Sequence, residues 1–189
     1  MESNPHFFFA VRLPDEVKEN LSKLCDSLKE QTSFKSWVHN QDYHITLAFL
    51  GGAPRDQLEL AKENVRRILQ DQFSFPLTIN QLGMFGKSDS PRIFWAGLQM
   101  EARLHDLREK VYSACIDAGF SLETRPFNPH ITLARKWVGA TPFKQEQLLI
   151  PPDMLEDGAF IANEVVLYQT HLNKTPKYEA FSTYQLLNR

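Results

Sequence analysis

The chain has 189 residues, with 21 Lys and Arg against 23 Asp and Glu, a formal charge of -2, two cysteines and 42% hydrophobic residues. That apolar fraction supports a packed interior and excludes a disordered chain, and the length suits one domain or two small lobes sharing a core. Two cysteines make no disulfide framework, no C-x-x-C pair offers zinc, no apolar run suffices for a membrane span, and the balanced charge argues against coating long nucleic acid, though not against a small anion in a pocket.

In chain order, Met1 to Pro5 is polar with no basic leader, so a cytoplasmic protein is expected. Phe7 to Leu13 is aromatic and β-branched, stops at Pro14, and reads as a buried strand. Asp15 opens a helix whose apolar face is Val17, Leu21, Leu24 and Leu28. Lys35 to Val38 reads as a short strand, and Tyr43 to Leu50 as a longer one ended by Gly51 and Gly52. Pro54 precedes a second helix faced by Leu58, Ala61, Val65, Ile68 and Leu69. Phe75, Leu77 and Ile79 alternate as in a half-buried strand, and Arg92 to Leu98 is another. Leu104, Leu107, Val111, Ala114 and Ala118 mark a third helix, capped by Gly119. His130 to Lys136 is a strand, and Gly139 to Gly158 a long surface loop with a short helical turn. Glu164 to Leu172 and Ala180 to Leu187 close the chain as strands. Uneven strand spacing and an all-strand ending favour α+β over a doubly wound parallel sheet.

The pentapeptide His44-Ile45-Thr46-Leu47-Ala48 recurs unchanged as His130-Ile131-Thr132-Leu133-Ala134. It divides the chain into halves, and a strand and a helix precede each copy. On a strand, residues i and i+2 share a face. Ile45 and Leu47 therefore enter a core while His44 and Thr46 face the other way, and the same holds for the second copy. A pseudo-two-fold between the halves would bring both polar faces to one cleft.

Two imidazoles that titrate near neutrality can act as acid and base, and threonine hydroxyls can hold phosphate oxygens. This set suits metal-free chemistry at a phosphodiester, because no carboxylate or thiolate in the motifs completes a metal ligand set. After the repeat the copies diverge: Phe49 follows Ala48, and Arg135 follows Ala134. A guanidinium there can grip phosphate, but strict alternation turns Arg135 away from His130 unless the strand bends. His6, His39, His105 and His171 lack the pattern and read as surface or packing residues, and Cys25 and Cys115 as buried thiols. Phe7 and Phe9 share a face by alternation, and Phe9 is a candidate to stack on a base.

These runs resemble the two-histidine phosphoesterases, and within them the LigT-like RNA 2',3'-cyclic phosphodiesterases, also called 2'-5' RNA ligases. The likeness rests on Phe8 to Val11 with Pro14, on His44 to Gly51, and on Arg125 to Arg135, and its order and spacing cover most of the chain. The resemblance implies a bilobal α+β fold with two pseudo-two-fold-related antiparallel sheets facing a central cleft and helices outside, residues 1–189 forming one bilobal unit. It implies metal-independent opening of a terminal 2',3'-cyclic phosphate to a 2'-phosphate, with no cofactor. His44 would be the proton donor, His130 the proton acceptor, and Thr46, Thr132 and Arg135 the phosphate ligands. The residues themselves do not order the two histidine roles. Some members also join RNA ends through a 2'-5' bond. The expected partners are RNA ends or small nucleotides with a cyclic phosphate, with no membrane and no stable protein partner, and the chain is expected to be a monomer. Other readings of the same motif are a phosphodiesterase for 2'-5' oligonucleotides or an ADP-ribose cyclic phosphate, and a non-catalytic RNA-end-binding module.

Overall fold

The computed structural model describes residues 4–156 and 158–188; Met1 to Ser3, the first residues of the polar start, lie outside the described residues. Strand β1 (His6–Arg12) leads through Pro14 into helix α1 (Asp15–Lys29), whose buried face is Val17, Leu21, Leu24, Cys25 and Leu28. Strand β2 (Phe34–Trp37) and a 3-10 turn (Asn40–Asp42) precede β3 (His44–Gly52). Helix α2 (Arg55–Leu69), strands β4 (Phe75–Lys87) and β5 (Ser90–Leu98), and helix α3 (Ala102–Asp117) follow. Gly119 ends α3 in the left-handed region at φ 90°, where a side chain would be strained. Strand β6 (His130–Trp137) carries the second repeat. A 3-10 turn (Gln145–Gln147) and a one-turn helix α4 (Asp153–Glu156) occupy the expected loop. Strands β7 (Ala159–Ala162), β8 (Glu164–Thr170) and β9 (Tyr178–Gln185) finish the chain.

These strands form two antiparallel sheets in an α+β arrangement, one ordered β3-β1-β8-β9 and the other β2-β6-β5-β4-β7. The halves correspond: β1, α1 and β3 in the first repeat as β5, α3 and β6 in the second. Each repeat strand pairs with the strand that opens its own half, and β3 and β6 pack against each other between the sheets. Helices α2 and α3 pack together over the first sheet, with α3 against β3 and α2 against β9. Helix α1 sits by the second sheet, sharing a crevice with Ile79 through Val17 and Leu21. One continuous core results, containing Ile45 and Leu47 from the first copy and Ile131 and Leu133 from the second.

Two strand segments differ from expectation. Strand β4 runs on past Ile79 to Lys87, where Gly83 and Gly86 break the alternation that marks a strand. Gly83 is required there, because a Cβ would lie 2.2 Å from the Trp95 ring. Strand β7 is four residues long and lies at the sheet edge beside β4. Among the described residues no helix is long and apolar enough to cross a membrane.

Ile45 and Ile131 are fully buried. Ile45→Ala or Ile131→Ala should each lower the unfolding free energy by about 2–5 kcal/mol in urea titration. A loss below about 1 kcal/mol would show that the repeats do not carry the core.

Candidate active site

Both repeats place their imidazole by the same local device. The Nδ1 of His44 lies 2.7 Å from the carbonyl oxygen of Asp42, and the Nδ1 of His130 lies 2.8 Å from that of Asn128. A carbonyl only accepts, so Nδ1 carries the proton in each ring. The Nε2 atom is then the one free to gain or give a proton. On the first copy, Nε2 lies 3.0 Å from Thr46 Oγ1, which donates to it while the ring is neutral.

The bend that Arg135 needs is present. The register of β6 on β5 passes from Thr132 opposite Trp95 to Ala134 opposite Phe94, so Leu133 is an extra residue in the ladder. Strand β3 has the same irregularity at Leu47, between Thr46 opposite Ala10 and Ala48 opposite Phe9. Each bulge buries two successive residues and returns the next one to the face of the histidine. Arg135 thus joins His130 and Thr132, and Phe49 takes the corresponding place in the first half. The Arg135 charge bears on both imidazoles and on the Tyr178 hydroxyl from the other sheet. The structure therefore brings His44, Thr46, His130, Thr132 and Arg135 to one cleft.

Phe9 does not belong to that group. It is fully buried on the opposite face, in the main core, with its ring 6.1 Å from that of Tyr184. No base can reach it. The β1 aromatic on the cleft side is Phe8, because the shared face of the Phe triplet runs the other way. Its ring lies 4.7 Å from that of His44, and Tyr178 meets His44 edge-on at 5.2 Å. Tyr168 completes this group, with Phe8, Ala10 and Val166 forming a second buried cluster. The His130 side is more open: Phe85 meets the ring edge-on at 4.8 Å and Trp95 lies 6.2 Å away, both half-buried. Asp42, Tyr178, Tyr168, Phe85 and Trp95 were not singled out from the sequence. Only Asp42, two residues before His44, had a positional signal.

Burial is the main force on both rings. It holds His44 down to about 4, against the opposing pulls of the Asp42 carbonyl and the Asp42 charge, with the His130 and Arg135 charges adding to the depression. His130 is lowered in the same way, first by burial and then by Arg135. Both rings are thereby biased towards neutrality. Among the described residues no group of three or more His, Cys, Asp or Glu side chains is placed to hold a metal ion.

Comparison with known proteins agrees with this architecture. The family model described as LigT like Phosphoesterase matches residues 11–95 and 98–178. A Geobacillus stearothermophilus protein named RNA 2',3'-cyclic phosphodiesterase is 44% identical over 96% of this chain, which spans 57% of that protein's length. A Bacillus subtilis protein of the same name is 34% identical, covering 96% of this chain and 97% of its own. The crystal structure of Escherichia coli LigT with 3'-AMP superposes with a TM-score of 0.80 at 26% identity, covering 97% of this chain and 99% of that one.

Folded His44 gains its proton near 4, below the ordinary 6.5, so the unfolded chain binds more protons between those values. Stability should fall as pH drops from about 6.5 towards about 4, and NMR titration of the His44 ring should give a midpoint well below 6.5. A midpoint at or above 6.5 contradicts the burial argument.

Proposed function

The chain belongs to the LigT-like phosphoesterase family, and on that premise we propose that residues 1–189 form one bilobal enzyme that opens RNA terminal 2',3'-cyclic phosphates to 2'-phosphates. The observation that carries this reading is the pairing of two imidazoles, each with Nδ1 committed to a main-chain carbonyl and Nε2 left to exchange a proton, with Arg135 acting on both.

In this reading His130 is the proton acceptor. Its Nε2 takes a proton from water as the water oxygen bonds to phosphorus. The bond from phosphorus to the 3'-oxygen breaks, and His44 Nε2–H protonates that oxygen, leaving a 2'-phosphomonoester. Solvent then returns the two rings to their starting protonation. Arg135 and the hydroxyls of Thr46 and Thr132 hold the phosphate oxygens and the charge that builds on them.

The neutral bias of His44 gives this scheme a condition. Burial keeps the free ring deprotonated at neutral pH, so the donor form requires the negative charge of the bound phosphate beside it. On binding, the Thr46 hydroxyl leaves Nε2 for a phosphate oxygen and the ring takes a proton from solvent. With an RNA 5'-hydroxyl in place of water, the same groups would form a 2'-5' phosphodiester.

Turnover of a 2',3'-cyclic nucleotide in excess chelator tests the reading. Activity should persist, and His44→Ala or His130→Ala should each lower kcat at least about a hundredfold. Arg135→Ala should lower kcat/KM about tenfold or more, the share of a hydrogen bond to a charged group. Activity lost to chelator, or retained in both histidine variants, contradicts it.

A further inference from the structure

Asp42 is one of two charged side chains buried among the described residues, at 5% exposure; the other is Lys18. A buried carboxylate is costly unless hydrogen bonds replace its water. Asp42 obtains them far along the chain: the main-chain N–H of Lys177 donates to Oδ2 at 2.9 Å, and that of Tyr178 to Oδ1 at 3.1 Å. These bonds fasten the turn between β8 and β9 to the residue that introduces the first repeat. The Asp42 carbonyl meanwhile holds the His44 Nδ1. One residue thus sets both the catalytic ring and the start of β9.

The start of β9 is Tyr178. Its ring stands edge-on against His44 and against Phe8, at 5.2 and 4.9 Å. Its hydroxyl lies within the influence of the Arg135 charge on the opposite sheet. A guanidinium only donates, so Arg135 cannot take up the Tyr178 O–H, which stays available for an acceptor. Among the described residues no acceptor takes that O–H. The nearest chemistry that needs a donor there is an anionic oxygen held by the same guanidinium.

We propose that the Tyr178 hydroxyl is a further phosphate ligand of the site, delivered across the cleft beside Arg135, and that Asp42 is the positioning residue that holds it there. This rests on the reading of the cleft as a phosphate site. It predicts that the phosphate is gripped from both sheets: by Thr132 and Arg135 from one, and by Thr46 and Tyr178 from the other. It also gives a reason for a buried acid two residues before a catalytic histidine, with both carboxylate oxygens bonded to the start of β9.

Binding of inorganic phosphate and of adenosine 2'-monophosphate, followed through the His44 and His130 imidazole signals, tests the proposal. Tyr178→Phe removes one oxygen and leaves the ring on His44; it should weaken both anions about tenfold. Asp42→Ala keeps the Tyr178 hydroxyl and the main-chain carbonyl that orients His44, and should weaken them as much. Asp42→Asn keeps one of the two acceptor oxygens and sets an NH2 against the other main-chain N–H, so it should weaken both anions, but less than Asp42→Ala. The double variant Asp42→Ala with Tyr178→Phe should bind no more weakly than Asp42→Ala alone, because both changes remove one contact. Wild-type affinity in Tyr178→Phe, or losses that multiply in the double variant, would overturn the proposal. So would a wild-type protein that binds neither anion. If Asp42→Ala does not fold, Tyr178→Phe and Asp42→Asn decide the matter. Turnover plays no part in this comparison. A wild-type protein that binds phosphate but opens no cyclic phosphate therefore contradicts the activity proposed above and leaves the Tyr178 contact standing.

Discussion

In each half of the chain, one hydrogen bond determines what an imidazole can do. The Nδ1 proton is given to a main-chain carbonyl two residues upstream, at 2.7 Å for His44 and 2.8 Å for His130. Each ring is then left with Nε2 as its working atom, on the face that also carries a threonine. The rest of the architecture serves to hold these two identical units in opposition. Ile45 and Leu47, and their counterparts Ile131 and Leu133, bury the other face of each strand in a common core. The strands β3 and β6 pack against each other between the sheets. A displacement of either strand would move an imidazole and a hydroxyl together, so core packing and site geometry are the same constraint.

The duplication is equal in backbone and unequal in environment. Both strands bulge at the fourth residue of the repeat, and both return the sixth to the cleft. That residue is an exposed Phe49 in one half and Arg135 in the other. Around His44 the wall is closed by Phe8, Tyr168 and Tyr178, and its Nε2 already has a hydroxyl partner in Thr46. Around His130 the half-buried Phe85 and Trp95 leave more room. A symmetric frame with unequal linings gives two chemically alike groups different surroundings. That difference is what acid and base roles require.

Much of this was legible in the sequence, because it is encoded by local periodicity. The three long helices follow from their apolar spacing, and the shared face of His44 and Thr46 follows from alternation on a strand. What periodicity could not show falls into two kinds. The first is departure from the period itself. Strict alternation turned Arg135 away from the cleft, and the extra residue at Leu133 reversed that; Gly83, small because the Trp95 ring lies over it, hid half of β4. That Phe9 lies in the core instead of the cleft was hidden for a related reason, since alternation groups residues by face without saying which face is the cleft. The second kind is contact between distant segments. Asp42 meets Lys177 and Tyr178 across some 135 residues, and nothing in the local pattern of either segment announces it.

In the proposed reaction, two Nε2 atoms on opposite sides of one phosphate divide the proton transfers, one at the attacking water and one at the departing 3'-oxygen. Phosphorus NMR of the products formed from an RNA ending in a 2',3'-cyclic phosphate tests this most directly, because it reports which oxygen keeps the phosphate. The expected product is a single 2'-phosphomonoester, formed equally well with chelator present. A 3'-phosphomonoester, a mixture of the two, or an unchanged cyclic phosphate would contradict it.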